Sequence, residues 1–265
     1  MNKQISYSDL PLLTRSVEEN VEQLLEHGAD KIELLMDGIQ WDDMDGQIRR
    51  MGKTLRRYRA AFSVHPPAWD TNLTSENQAI RTASYEEYKK AIEFAHEIEA
   101  EHVVIHPGFS FSPAFDKATA QKRAQDYLEL LCRVAKPLGI KLAVENVGYK
   151  GASIYSEQEY LCCLDGIDAA AGYLIDTGHA RLNGWDIPGM IRSVKDRLCS
   201  VHIHDNSGEG DEHLPIGGGS IDWQPIYDAL REVEAPCQLI LEYSPGTDLN
   251  QLAKGKQLLQ QNLAL

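Results

Sequence analysis

Short apolar runs of strand length alternate along the chain with segments whose apolar residues return every third or fourth position. The strand-like runs are KQISYS (3–8), KIELLM (31–36), AAFSVH (60–65), HVVIHP (102–107), KLAVEN (141–146), GYLIDT (172–177), LCSVHIHD (198–205) and CQLILEY (237–243). The helix-like segments are SVEENVEQLLEH (16–27), MDGQIRRMGKTLRRY (44–58), SYEEYKKAIEFAHEIE (84–99), KATAQKRAQDYLELLCRVA (117–135), SEQEYLCCLDG (156–166), DIPGMIRSVKDR (186–197), IDWQPIYDALREV (221–233) and DLNQLAKGKQLLQQNL (248–263). Strand–helix alternation predicts a parallel sheet. Eight such units in 265 residues predict a closed (β/α)8 barrel, with an open doubly wound sheet as the alternative. No linker, tandem repeat or low-complexity tract divides the chain, so one domain over residues 1–265 is expected.

Successive strand residues point to opposite faces. In six strands the bulky apolar residues share one face and an imidazole or carboxylate near the strand end takes the other. Phe62 and Val64 oppose His65; Val103 and Ile105 oppose His106; Leu142 and Val144 oppose Glu145. Tyr173 and Ile175 oppose Asp176, Val201 and Ile203 oppose His202 and His204, and Leu239 and Leu241 oppose Glu242. With the bulky face against the helices, these polar groups point inward. They gather at the C-terminal mouth, where barrel active sites lie.

Carboxylates crowded together repel, and some protonate unless a cation sits among them. Imidazole with carboxylate suits Zn²⁺, Mn²⁺, Fe²⁺ or Co²⁺, whereas Mg²⁺ and Ca²⁺ prefer oxygen ligands. The pattern therefore predicts a divalent metal site. A net charge of −14 disfavours non-specific binding to nucleic acid, which leans on Lys and Arg. The opening MNKQISYSDLPLL lacks an apolar run of signal-peptide length, and no stretch reaches the roughly 18 apolar residues of a membrane span. The five cysteines show no CxxC spacing. They read as reduced, buried thiols of a cytoplasmic protein.

The motifs SVHPP, VVIHPG, LAVEN, LIDTGHA, VHIHDN, DEHLPIGGGSIDW and LILEY, spread over nearly the whole chain, resemble those of the xylose isomerase-like TIM barrels. That family includes sugar and sugar-phosphate isomerases and epimerases, and abasic-site nucleases of the endonuclease IV type. The resemblance implies that Glu145, Asp176, His202 and Glu242 hold the metal common to the isomerase branch. It implies that His65 and His106 hold a second zinc in the nuclease type, with Glu145 bridging. It places His179, Asp211 and His213 around a third. The cofactor expectation is thus one to three ions, Zn²⁺ or Mn²⁺. His204 matches no ligand of the pattern and is expected to hydrogen-bond to one.

The activity implied is isomerisation or epimerisation of a sugar or sugar phosphate beside a metal-polarised carbonyl. Glu145 and Glu242 are the expected base and acid, and His179 the group that orients the reacting oxygen. Trp41, Trp69 and Trp185 follow strand ends and could stack on a sugar, Lys150 could meet a phosphate, and His204 lies on the substrate side. The alternatives are a trinuclear zinc phosphodiesterase acting on abasic DNA and a keto-polyol dehydratase using the same site. The chain lacks the nuclease branch's opening Gly-Ala-His-type signature, and its mouth loops carry few cations. It also lacks the arginine that ketose 3-epimerases carry after the strand-seven histidine, having NSGEGDEH there. The oligomeric state is not legible.

Overall fold

A computed structural model describes residues 3–42 and 44–265. The strands are β1 (Lys3–Ser8), β2 (Lys31–Leu35), β3 (Ala61–His65), β4 (His102–Ile105), β5 (Lys141–Glu145), β6 (Ala171–Asp176), β7 (Leu198–Ile203) and β8 (Cys237–Leu241). The helices are α1 (Val17–Glu26), α2 (Met44–Leu55), α3 (Gln78–Glu97), α4 (Lys117–Leu138), α5 (Glu157–Cys162), α6 (Thr177–Asn183), α7 (Ile187–Val194), α8 (Trp223–Glu232) and α9 (Asn250–Leu263). All neighbouring strands run parallel, and β1 pairs with β8 from Lys3↔Cys237 to Tyr7↔Leu241, closing the (β/α)8 barrel. Each of the eight predicted strands and helices has its counterpart.

Two differences have local causes. Helix α3 begins at Gln78, ahead of the expected start at Ser84, because the Asn77 side chain accepts the Ala79 N–H and caps the helix there. Helix α6 was not anticipated; it is too short to show a period, and Asp176 caps it by accepting the His179 N–H at 2.6 Å. Among the cysteines, Cys132 and Cys237 are buried, whereas Cys162 is exposed on α5. Among the described residues no helix is long and apolar enough to cross a membrane.

The main core lies between strands and helices. Ile32, Leu34, Phe62, Val64, Val103, Ile105, Leu142 and Val144 meet helix residues such as Leu24, Ile92, Phe94 and Leu131. Inside the barrel, Val104, Ala143 and Leu174 form a separate small apolar cluster with Cys199 beside it. Much of the rest of the interior is polar, with Ser6, Glu33, Ser63, His102 and Ser200 all buried, beside the apolar Leu35 and Ile240. Barrel interiors are more often filled by branched apolar side chains, so this polar column needs a reason beyond packing.

Asp9, just past β1, is buried; it accepts the Leu35 N–H at 2.8 Å and the Asn20 amide at 3.0 Å. Burial outweighs these bonds and pushes its carboxyl up to about 7. The folded state therefore keeps the Asp9 proton that the unfolded chain releases near pH 4. This contribution is complete in acid, falls as pH rises from about 4 to about 7, and then levels off. Asp9→Asn keeps an acceptor for Leu35 and offers a donor to Asn20 Oδ1, which has no partner. The variant's stability relative to the parent is expected to rise across that window by up to about 4 kcal/mol. Urea unfolding of both proteins at several pH values measures this; parallel pH profiles rule it out.

Candidate metal centre

Hydrogen bonds between neighbouring strand ends fix the barrel mouth. Asn146 donates to the Asp176 carbonyl at 3.0 Å and accepts the Asp176 N–H at 2.7 Å, joining the ends of β5 and β6. The Tyr160 hydroxyl contacts the carbonyls of Leu174 and Val144 at 2.7 and 3.0 Å. The Tyr88 hydroxyl accepts the His106 N–H at 3.2 Å. The ends of β4, β5 and β6 are thus held on rigid backbone.

Glu145 sits at the centre. Its Oε2 lies 3.0 Å from His106 Nε2, 3.9 Å from His65 Nε2 and 3.8 Å from His202 Nδ1, and its Oε1 lies 3.1 Å from His179 Nδ1. His202 Nδ1 also faces Glu242 Oε2 at 3.2 Å and Asp176 Oδ2 at 3.8 Å. Two sets, His65–His106–Glu145 and Glu145–Asp176–His202, bring all their ligand atoms within 4.8 Å of one another. They share Glu145.

His179, Asp211 and His213 form the outer edge. Asp211 Oδ2 stands 3.1 Å from His179 Nε2 and 3.3 Å from His213 Nε2. The loop that returns Asp211 and His213 is organised by buried Asp205. That carboxylate accepts from the Gly217 and Ile221 N–H groups at 3.1 Å and from Trp223 Nε1 at 2.9 Å. The Asp205–Leu214 backbone bridge pins its base. His204 is buried and turned onto Asp176 Oδ2 at 2.9 Å, with its ring stacked 3.9 Å from that of His213. Gly178 leaves room for it, because a Cβ there would stand 2.0 Å from His204 Cε1.

The donor chemistry fits a divalent cation. Nδ1 of His202 and of His179 and Oδ1 of Asp211 are buried without a hydrogen-bond partner. Burial works against charge on His202, yet Glu242, Glu33 and Glu145 hold its imidazole well above the usual range. Burial likewise opposes charge on Glu145, and His106 and His202 hold it well below the carboxylate range. Against the same cost, Asp211 and Glu242 push His213 up to about 9. Without an ion the site draws in protons; a bound dication meets the same demand for positive charge.

The mouth opens into a cavity of about 550 Å³ lined by His65, His106, Glu145, His179, Asp211, His213 and Glu242 below, and by Trp69, Phe109, Phe111 and Tyr149 above. No Lys or Arg is among the described lining residues. Of the expected substrate contacts, Trp69 lines this cavity. Trp41 does not: it is buried edge-on against Phe94, ring centroids 5.3 Å apart. Trp185 is half-buried and tilted over Tyr160, and Lys150 is exposed with its ammonium 6.0 Å from the Tyr149 ring; neither lines the cavity. Buried Glu33, 3.0 Å from His202 Nε2, was not anticipated. The strand alternation that exposes His202 marks it too, since Ile32 and Leu34 take the opposite face, but it lies in mid-strand rather than at the end.

The sequence is 26% identical to Uncharacterized protein MJ1311 of Methanocaldococcus jannaschii over 271 aligned positions, covering 100% of this chain and 91% of that protein. It is 27% identical to a Probable endonuclease 4 of Thermoplasma volcanium over 164 positions, 57% of this chain and 56% of that one. A solved D-tagatose 3-epimerase-like protein superposes with a TM-score of 0.85 at 26% identity, covering 98% of this chain and 97% of its own. The family description "Xylose isomerase-like TIM barrel" matches residues 21–262, and the chain belongs to that family.

Proposed function

We propose that the protein is a divalent-metal-dependent isomerase or epimerase of a neutral ketose, with Zn²⁺ or Mn²⁺ at the barrel mouth. The observation that carries this is the approach of Glu145 and Glu242 to His202 Nδ1, at 3.8 and 3.2 Å, on the floor of a cavity whose described lining has no Lys or Arg. Glu145, Asp176, His202 and Glu242 would hold the ion, which supplies Lewis acidity toward a carbonyl oxygen and its neighbouring hydroxyl. Glu145 ends β5 and Glu242 follows β8, three strands apart around the mouth. One takes the proton from the carbon next to the carbonyl, and the other returns a proton to the opposite face. His179, with Nδ1 facing Glu145 and Nε2 facing Asp211 at 3.1 Å each, would orient the oxygen whose charge changes through these carboxylates. Trp69, Phe109 and Phe111 offer ring faces to the C–H side of a sugar. The lack of Lys and Arg in the described lining favours an uncharged sugar over a sugar phosphate. The likeness to the D-tagatose 3-epimerase-like structure supports the same reading.

The experiment is solvent exchange. The metal-loaded protein, given D-tagatose or D-fructose in deuterated water, is expected to introduce deuterium beside the carbonyl, detected by NMR even where no net product accumulates. Absence of exchange across a panel of free ketoses, together with incision of an abasic-site oligonucleotide, replaces this reading with the nuclease one. Two observations favour that second reading: His65 and His106 gather on Glu145, and Asp211 stands between His179 and His213. His213→Ala separates the two. It should leave ketose exchange within about threefold of the parent, since His213 is outside the central ligand set, but cost a three-metal nuclease about a hundredfold or more.

A further inference from the structure

The polar column inside the barrel has its own role at the centre. Glu33, in β2, is fully buried beneath the mouth. Its Oε2 accepts from the Ser63 hydroxyl at 3.1 Å, and its Oε1 lies 3.0 Å from His202 Nε2. Glu33 Oε1 and His202 Nε2 are both buried and have no hydrogen-bond partner. At 3.0 Å the two atoms are within hydrogen-bond distance, and a rotation of the ring would align the N–H with the carboxylate. His102 Nε2, 3.8 Å from Glu33, is beyond hydrogen-bond range.

Glu33, His202 and Glu242 are close enough to be taken for one ligand set. The imidazole forbids it, because Glu33 meets Nε2, whereas Glu242, Glu145 and Asp176 all meet Nδ1. The two nitrogens direct their lone pairs or protons away from each other, so one ion cannot take both sides. A buried carboxylate without a cationic partner is costly, and Ser63 alone is a weak reason to retain one.

We propose that Glu33 is a positioning residue for the metal centre. It accepts the Nε2 hydrogen of His202, fixes that tautomer and the rotation of the ring, and leaves Nδ1 bare toward the three carboxylates. A carboxylate behind a ligating histidine also makes the ring a stronger donor. Ser63 holds the second oxygen of Glu33 and so sets the carboxylate plane. This inference rests on the reading that the cluster around His202 binds a divalent ion, and the test separates the two.

Apoprotein is titrated with Zn²⁺ against a chromophoric chelator, and with Co²⁺ by visible absorption. Glu33→Leu is expected to bind Zn²⁺ about 10- to 100-fold more weakly, and Glu33→Gln, which keeps an acceptor oxygen, about 5-fold more weakly. Both should change the Co²⁺ spectrum, which a residue serving packing alone leaves as it is. Thermal melts of the apoproteins establish folding; if the Leu variant does not fold, the Gln variant decides. Affinity within twofold of the parent and an unchanged Co²⁺ spectrum in the folded variant overturn the role of Glu33. Failure of the parent itself to take up either ion overturns the metal reading beneath it.

Discussion

Glu145→Gln is expected to lower ketose turnover by about a thousandfold or more and to weaken metal binding in the same step. Its two oxygens face four ring nitrogens, those of His106, His65 and His202 on one side and His179 on the other. The amide is isosteric but neutral. It removes the negative charge shared by both close ligand sets, and it turns an NH₂ group toward histidine nitrogens or toward the ion. It also removes a proton-transfer group, since an amide does not act as a base near neutral pH. Steady-state turnover, deuterium exchange and metal content of the purified variant are measured together. Loss of exchange with metal content retained assigns Glu145 to proton transfer alone. Turnover equal to the parent's removes it from the mechanism.

The barrel and the meeting of its strand ends were legible because strand geometry is binary. Once Val64 or Ile105 is committed to the helix side, the next residue has one direction left, and six strands in the same phase leave one place to meet. Glu33 obeys the same rule, and Ile32 and Leu34 show it, yet a carboxylate in mid-strand looks like a misplaced surface residue until His202 is seen across the barrel. Asp205 was hidden for another reason. Its partners, the Gly217 and Ile221 N–H groups and the Trp223 indole, are 12 to 18 residues away, and backbone N–H groups carry no sequence signature. The aromatic residues failed in the opposite sense. Trp41 and Trp69 each follow a strand, but one turns into the core against Phe94 and the other stands 62% exposed at the rim. Tertiary packing decides such cases, and local sequence does not. Phe109 and Phe111, stacked 5.4 Å apart between centroids beyond His106, form a rim that no periodic pattern announces.

Stripping the metal is expected to lower the melting temperature by about 10 °C and to abolish exchange. At an ion concentration about a thousandfold above Kd, binding to the folded state alone contributes about 4 kcal/mol. In a chain of this length each kcal/mol moves the midpoint by about 2–4 °C. The site makes binding selective for the fold, because its ligands come from β5, β6, β7 and the end of β8 and lie apart in an unfolded chain. The apoprotein should still fold, since the helix-side core is independent of the mouth and imidazolium groups can stand in for the ion. The check is calorimetry with and without a chelator, followed by return of single ions. Zn²⁺, Mn²⁺ or Co²⁺ should restore both midpoint and exchange, while Mg²⁺, which prefers oxygen alone, should restore little. A midpoint that does not rise when Zn²⁺, Mn²⁺ or Co²⁺ is returned to the metal-free protein means that the carboxylates are balanced by protonated histidines alone. In that case the mouth is a hydrogen-bonded cluster rather than a metal centre.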